Sequence, residues 1–295
     1  MNPSEPSQIQ SPVLLIGAGG MLGRAWRGLL SRSRVAYDAP PVADFDLKRP
    51  ATLAPASSGP WRTVINCAAW TDVDGAESRE GEARALNADG VGALAQACRR
   101  SGATLVHYST DYVFDGSARE PIPVDAPRRP LGAYGRTKAS GEEAIESSGC
   151  RGVIVRTSWL YAPWGKNFVL TMRGLLRTRP LVRVVNDQRG RPTSAEHLAL
   201  ASAALLAQEA EGLWHLTDGG ECSWFEFARE IAALTPGACP LEPCTTREFP
   251  RPAPRPGYSV LDISDAERLL GPMPHWTDNL AGVIAQLPDP APASR

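Results

Sequence analysis

The sequence predicts an α/β fold: a doubly wound parallel Rossmann sheet with a smaller, interleaved α/β substrate domain at its carboxyl edge. Three observations predict it. Short apolar runs alternate with helical patterns from Val13 onward, the signature of strands joined by crossover helices. A glycine-rich turn, Gly17-Ala18-Gly19-Gly20-Met21-Leu22-Gly23, follows the first apolar run and opens a helical pattern. Further on, Tyr134 and Lys138 stand four residues apart, which puts them on one helix face.

The elements follow in order. Val13–Ile16 is apolar throughout, as a strand covered on both faces must be. Leu22, Trp26 and Leu29-Leu30 come at helical spacing. Residues 35–37 read as a second strand ending in Asp38, and 64–66 as a third. Residues 83–100 form an alanine-rich helix with Leu86, Leu94 and Cys98 on neighbouring turns. Strands are predicted at 104–108 and 152–156, with a helix at 141–147. Beyond them, 168–177 is helical, 182–185 a strand, and 192–210 a helix capped by Thr193 or Ser194. Residues 212–217 form a strand, and 223–234 a helix with Ser223 as N-cap. The proline-dense stretch 236–256 predicts no regular structure. A last helix spans 264–270, with Asp265 and Glu267 in its first turn. The expected division is a dinucleotide-binding domain at 12–162, to which 190–212 returns. A smaller substrate domain takes 163–189 and 213–287, with flexible tails at 1–11 and 288–295.

Composition narrows the function. The 295 residues carry a formal net charge of -1, which offers no electrostatic footprint for nucleic acid. Residues 1–11 lack the basic and apolar regions of a signal peptide, and no apolar run reaches membrane-spanning length. Six scattered cysteines without a CxxC pair read as reduced thiols of a cytoplasmic protein. The four histidines, His107, His197, His215 and His275, show no metal-ligand spacing. His107, on a predicted strand, reads as structural.

The glycine turn suits a dinucleotide. Glycines at 17, 20 and 23 permit a tight turn, and the amides of the following helix face the pyrophosphate. Asp38, about 20 residues on, stands where a ribose-binding acid would favour NADH. Arg24, Arg32 and Arg34 would instead meet the 2′-phosphate of NADPH, so both cofactors remain open. Asp46-Leu47 is a candidate adenine lip. Ala69, in Asn66-Cys67-Ala68-Ala69-Trp70, is small enough for a cofactor to lie close. Tyr134 is the candidate proton donor, beside a Lys138 ammonium that favours its ionised form. Thr110, at a strand end, would hold the substrate oxygen as charge develops. Trp159 reads equally as a stacking platform or as a core residue. Asn167 and Arg191 are loop groups that would meet a phosphate or only solvent. Arg255, in Pro254-Arg255-Pro256, would present a guanidinium to a diphosphate.

Together these segments carry a resemblance. The glycine turn, residues 66–77 and Ser109-Thr110-Asp111-Tyr112-Val113-Phe114 are its first carriers. Tyr134 to Lys138, Arg156-Thr157-Ser158-Trp159, Asn186-Asp187-Gln188 and Arg255-Pro256-Gly257 complete it. The chain resembles the extended short-chain dehydrogenase/reductases, within them the reductases of nucleotide-linked deoxysugars. The resemblance implies reduction of a dTDP-bound 4-keto-6-deoxy sugar by NADPH or NADH. It implies a catalytic set of Thr110, Tyr134 and Lys138. It places Gly20, Met21, Leu22, Asp38, Asp46, Leu47, Ala69, Trp70, Thr71 and Tyr108 along the cofactor. It places Thr110, Asp111 and Trp159 on the sugar nucleotide. A monomer or homodimer without a required metal is expected. Two alternatives stand: a 4-ketoreductase for another dTDP-deoxysugar, or a non-catalytic subunit resembling the methionine adenosyltransferase beta subunit. The segment Thr157-Ser158-Trp159 and the intact Thr110 favour an enzyme.

Overall fold

The computed structural model describes residues 9–288. Its first half is built from strand–helix units. β1 (Val13–Ile16) leads into α1 (Met21–Arg32), and β2 (Tyr37–Asp38) follows. α2 (Ala54–Ser58), β3 (Thr63–Asn66), α3 (Val73–Ser78), α4 (Glu80–Arg84) and α5 (Gly90–Ser101) come next. β4 (Thr104–Thr110), α6 (Ala133–Ser148) and β5 (Gly152–Thr157) complete the series. The expected helix over 83–100 is interrupted, because residues Ala85–Asp89 form a π-helical turn between α4 and α5.

The second half is assembled from short ribbons. β6 (Leu160–Tyr161), α7 (Phe168–Thr178), β7 (Val182–Val185), β8 (Arg189–Gly190) and β9 (Thr193–Ser194) precede α8 (Ala195–Ala207). β10 (Gly212–His215), β11 (Cys222–Ser223), α9 (Trp224–Ala233) and β12 (Leu241–Cys244) follow. α10 (Ser264–Leu270) and α11 (Trp276–Ala285) end the described chain.

The central sheet has six strands in the order β2-β1-β3-β4-β5-β10, and every pair is parallel. α1 and α8 cover one face, where Leu22, Trp26, Leu30, Leu198 and Leu205 share a core with Leu15 and Val106. α2 and α5 cover the other, where Leu53, Val91 and Leu94 pack on Leu14, Val64 and Leu105. The chain moves one way from β1 to β2 and the other way from β3 onward. The sheet therefore has a switch point between β1 and β3, where the carboxyl ends of open sheets bind ligands.

Three readings are corrected. β10 belongs to the central sheet, parallel to β5, so the smaller part begins beyond it rather than at 213. The proline-dense stretch contains β12, which pairs with β7; the partner strand supplies the hydrogen bonds, and an edge position tolerates Pro243. Ser194 does precede α8, but its side chain makes no cap, and its N–H donates to Asp218 instead. Ser223 makes the expected cap, as a reciprocal capping box with Glu226. The tails lie mostly outside the described residues, yet Ile9 is buried and the Gln10 carbonyl accepts from Thr63. No helix among the described residues is long and apolar enough to cross a membrane.

Candidate active site

At the switch point the glycine turn closes against the end of β3. Gly17 has φ +75, and a Cβ there would lie 2.6 Å from the Ala68 nitrogen. A Cβ on Gly23 would lie 2.1 Å from the Gly17 carbonyl oxygen. Only glycine fits either place. Gly20 donates to the Gly17 carbonyl and leads α1 out of the turn. The amides of the helix's first turn have no intrahelical partner and face outward.

A cavity of about 640 Å³ opens on this turn. Gly17 and Gly20, Asp46 and Leu47, and Ala69 all line it. Met21 and Leu22 start α1 beside it, but Leu22 is buried in the core. Asp38 does not line the cavity; it is exposed and its carboxylate caps the Ala39 N–H. The arginines singled out by sequence also lie elsewhere. Arg24 stacks over the Trp164 ring, and Arg32 folds along Gly28. Arg27 and Lys48, which sequence reasoning passed over, line the cavity instead. The Arg27 side chain has no hydrogen-bond or ion-pair partner among the described residues. The glycine cradle, the cavity and its cationic edge suit a phosphorylated dinucleotide.

The catalytic candidates gather around the ends of β4 and α6. Thr110 accepts from the Tyr112 N–H and donates to the Asp111 carboxylate at 3.0 Å. Tyr134 lies in the first turn of α6, half-buried, and its ring meets Tyr112 edge-on at 5.7 Å. Trp70 packs in the same small cluster as Tyr134, its ring covered by Arg79. Thr71 is exposed beside it. A residue missed in the sequence fixes this loop. Asn87, in the π-helical turn, accepts from the Trp70 N–H and donates to the Trp70 carbonyl and the Thr137 hydroxyl.

The expected phenol–ammonium pairing is not made. Burial pushes the Tyr134 phenol up to about 12, with the Thr110 hydroxyl opposing and the Asp111 charge adding. Lys138 points the other way. Its amine donates to the Tyr108 carbonyl and meets His107 Nε2 at 3.2 Å, and burial pushes it down to about 8. Tyr108 offers only that carbonyl, because its hydroxyl accepts from Trp26 inside the core. Asp111 is also buried, which pushes its carboxyl up to about 6 against the pull of the Ser259 and Thr110 hydroxyls.

The substrate candidates divide. Trp159 has φ +46, an uncommon backbone for a bulky residue. One face of its ring is already stacked on Trp224 at 3.6 Å. Asn167 spends its side chain on the fold: it caps α7 through the Leu170 N–H and donates to the Ala162 and Trp164 carbonyls. Arg255 pairs with Asp74 at 2.8 Å and donates to the Ala253 carbonyl, so its guanidinium is partly committed. Arg191 donates to the Gly220 carbonyl.

A parallel sheet with a glycine-turn cavity at its switch point and a Thr, Tyr, Lys set at the next strand end defines an NAD(P)H-dependent oxidoreductase of the short-chain dehydrogenase/reductase type. The family model described as RmlD substrate binding domain matches residues 11–288. A dTDP-4-dehydrorhamnose reductase of Streptomyces griseus is 41% identical over 297 residues, covering 96% of this chain and 97% of the relative. A dTDP-4-keto-6-deoxy-D-glucose reductase of Streptomyces niveus is 40% identical over 273 residues, covering 90% and 94%. The crystal structure of a dTDP-4-dehydrorhamnose reductase from Bacillus anthracis in complex with NADP is similar at a TM-score of 0.89 and 34% identity, covering 93% of this chain and 98% of that one. The chain belongs to the dTDP-4-dehydrorhamnose reductase family.

Proposed function

We propose that the protein reduces the 4-keto group of dTDP-4-dehydro-L-rhamnose to give dTDP-L-rhamnose, using NADPH or NADH. The observation that carries this reading is the meeting of Thr110, Asp111 and Tyr134 where the end of β4 faces the first turn of α6. The nicotinamide supplies the hydride to the carbonyl carbon. Tyr134 gives its proton to the carbonyl oxygen, so C=O becomes CH–OH. Thr110 donates to the same oxygen and stabilises the charge that develops there. A phenol held near 12 is a weak acid when nothing is bound. Its proton becomes easier to give when Lys138, charged and reoriented, stands near it. Gly17, Gly20, Met21 and Gly23 hold the pyrophosphate through backbone amides. Asp46, Leu47 and Ala69 enclose the adenosine end. The part of the chain at 163–189 and beyond β10 holds the sugar nucleotide, with Trp159 at its entrance. The reading includes a cytoplasmic location and a monomer or homodimer.

The Streptomyces niveus relative supports a second reading, reduction of a different dTDP-4-keto-6-deoxy sugar. One assay separates them. NADPH and NADH oxidation at 340 nm is followed with dTDP-4-keto-L-rhamnose formed in situ, and then with dTDP-4-keto-6-deoxy-D-glucose. Turnover of the first substrate only supports the primary reading, and turnover of the second only replaces it. Tyr134→Phe is expected to lower kcat by about a hundredfold or more while cofactor still binds, because one proton donor is removed. Near-normal turnover in that variant would sink the catalytic assignment.

A further inference from the structure

Behind Tyr134 a chain of buried polar groups runs from the Ala68 peptide through Asn66 and His107 to Lys138. Asn66, His107 and Lys138 are each only 1% exposed, so every donor and acceptor among them must be matched within the protein. The matching can be read in one direction. The Ala68 N–H can only donate, so the Asn66 atom 3.0 Å from it is the amide oxygen. The Asn66 amide nitrogen then faces His107 Nδ1 at 3.1 Å, and Nδ1 must accept. A neutral imidazole that accepts at Nδ1 carries its proton on Nε2. Burial keeps His107 neutral by holding it well below the ordinary range.

The Nε2–H therefore points at the Lys138 amine, 3.2 Å away. An ammonium has three donors and no lone pair, so a charged Lys138 would set donor against donor. A neutral amine accepts from Nε2–H and still donates to the Tyr108 carbonyl. One counter-charge opposes burial, that of Glu142, and it is already shared. The nearest carboxylate is Glu142, one turn along α6. It is held by Arg156 through two bonds of 2.9 and 2.7 Å and by Arg128 at 2.9 Å. From β3, burial pushes the Cys67 thiol up and keeps it uncharged. At the end of β4, Asp111 is bonded to Thr110. From α3 and α4, Glu77 holds the Ala133 N–H and Glu80 pairs with Arg136.

We propose that the Asn66–His107 pair favours the neutral amine of Lys138 in the free protein, which makes His107 the positioning residue of that lysine, and that binding of the nicotinamide cofactor returns the proton from solvent. The second half rests on the cofactor site proposed above; the first does not. Hydroxyl groups of a bound ribose would give Lys138 acceptors in place of the Nε2–H. The ammonium would then form only in the complex, where it is needed beside Tyr134.

The composition makes the test direct, because the chain has three lysines, Lys48, Lys138 and Lys166. Lysine labelled with carbon-13 at Cε gives one resonance for each, and the one lost in Lys138→Met is that of Lys138. Its titration midpoint in the free protein should fall near pH 8. His107→Gln, which can turn an amide oxygen to the amine, should raise that midpoint by about one unit or more. Saturating NADP should do the same in the unaltered protein. Calorimetry in two buffers of different ionisation enthalpy should then show proton uptake on NADP binding at about pH 8.5, and loss of most of it in His107→Gln. A free-protein midpoint near the ordinary lysine value overturns the proposal, and needs no variant to fold. An unmoved midpoint in a folded His107→Gln overturns the role of His107. A low midpoint without NADP binding would leave the lysine result standing and remove the cofactor site.

Discussion

Under the ends of β4 and β5 the larger half of the molecule buries charge, while under β6 and β8 the smaller half buries rings. On the first side lie Asp111, Lys138, Glu142 and Arg156, with Asn66, Asn87 and His107 between them, all buried. On the second, Tyr161, Phe227 and Trp276 are buried and Trp159, Phe168 and Trp224 pack against them. The two walls hold themselves in place differently. A buried polar wall is directional: each group fixes the orientation of the next, and one missing partner leaves a costly orphan. An aromatic wall depends on area and shape, so it tolerates adjustment. That division suits a reductase whose proton geometry must be fixed and whose sugar nucleotide is large.

The sharpest way to break the comparison is at the ion pair that ties α6 to β5. Arg156 and Glu142 are almost fully buried, and Arg156 also donates to the Val124 carbonyl. Removing one partner alone, as in Arg156→Ala, leaves the buried Glu142 charge with Arg128 as its remaining cation and should cost up to about 3–5 kcal/mol in urea unfolding. Arg156→Met with Glu142→Leu should cost much less, since both charges leave together. If the single and double variants lose equal stability, the wall is held by packing and not by paired charge. Burial works to raise the Glu142 carboxyl, but Arg156 keeps it below its ordinary value. Its contribution is therefore present above the ordinary carboxylate range and is lost as pH falls through the lowered value.

Asp111 should behave in the opposite sense. Its carboxyl is pushed up to about 6 by burial, so the folded state holds the proton more tightly than the unfolded one. Stability is then full below about pH 4 and declines as pH rises through about 6. Asp111→Asn lacks that decline. It should be more stable than the parent at pH 7.5, by roughly 2–3 kcal/mol, and show little gain at pH 4. The same variant should bind sugar nucleotide less well, a site strained for function rather than for stability. A constant difference between the two proteins at both pH values would rule out ionisation as its cause.

On the aromatic wall the expected effect is smaller and falls on binding. Trp159→Ala removes a ring that stacks on Trp224 and lies against Gly190. It should weaken dTDP-sugar binding about tenfold, in keeping with about 1.4 kcal/mol of aromatic contact, and leave NADPH binding unchanged in fluorescence titrations. Equal losses for both ligands would mean that Trp159 only supports the fold.

The same contrast explains what the sequence makes legible. Each chemical motif of the larger half sits on one short segment, a strand end or one helix turn. The glycine turn and the parallel sheet could thus be read as they stand, and Thr110 and Tyr134 to Lys138 could be picked out as candidates. What escaped depends on distant pairings. Arg255 looks free in its proline loop, yet Asp74, 181 residues away, holds it. β12 lies in a proline-rich stretch and forms only because β7 pairs with it. Asn87 reads as an ordinary helical residue, because nothing local announces the π-helical turn that aims it at Trp70. Lys138 stands out as a candidate from its spacing to Tyr134, but its partners, His107 and the Tyr108 carbonyl, depend on which strand lies behind α6.

The smallest effect tests exposed charge against buried charge within the larger half. Arg27 and Lys48 stand at the rim of the cavity while Asp38 lies outside it. A 2′-phosphate would find cations there, and a free 2′-hydroxyl would find only the Asp46 carboxylate, which Arg49 already holds. The protein should therefore bind NADPH more tightly than NADH. Arg27→Ala should weaken NADPH binding by about threefold to tenfold, the range for one exposed charge-assisted contact, and leave NADH nearly untouched. Because the side chain is solvated, the NADPH advantage should shrink as salt is raised. The buried Lys138 and Arg156 should show no such salt dependence. Titration of 2′,5′-ADP against 5′-ADP at two ionic strengths reads both effects without turnover. A preference for NADPH that survives in Arg27→Ala at every salt concentration would move the phosphate contact to Lys48 or to the backbone of the turn.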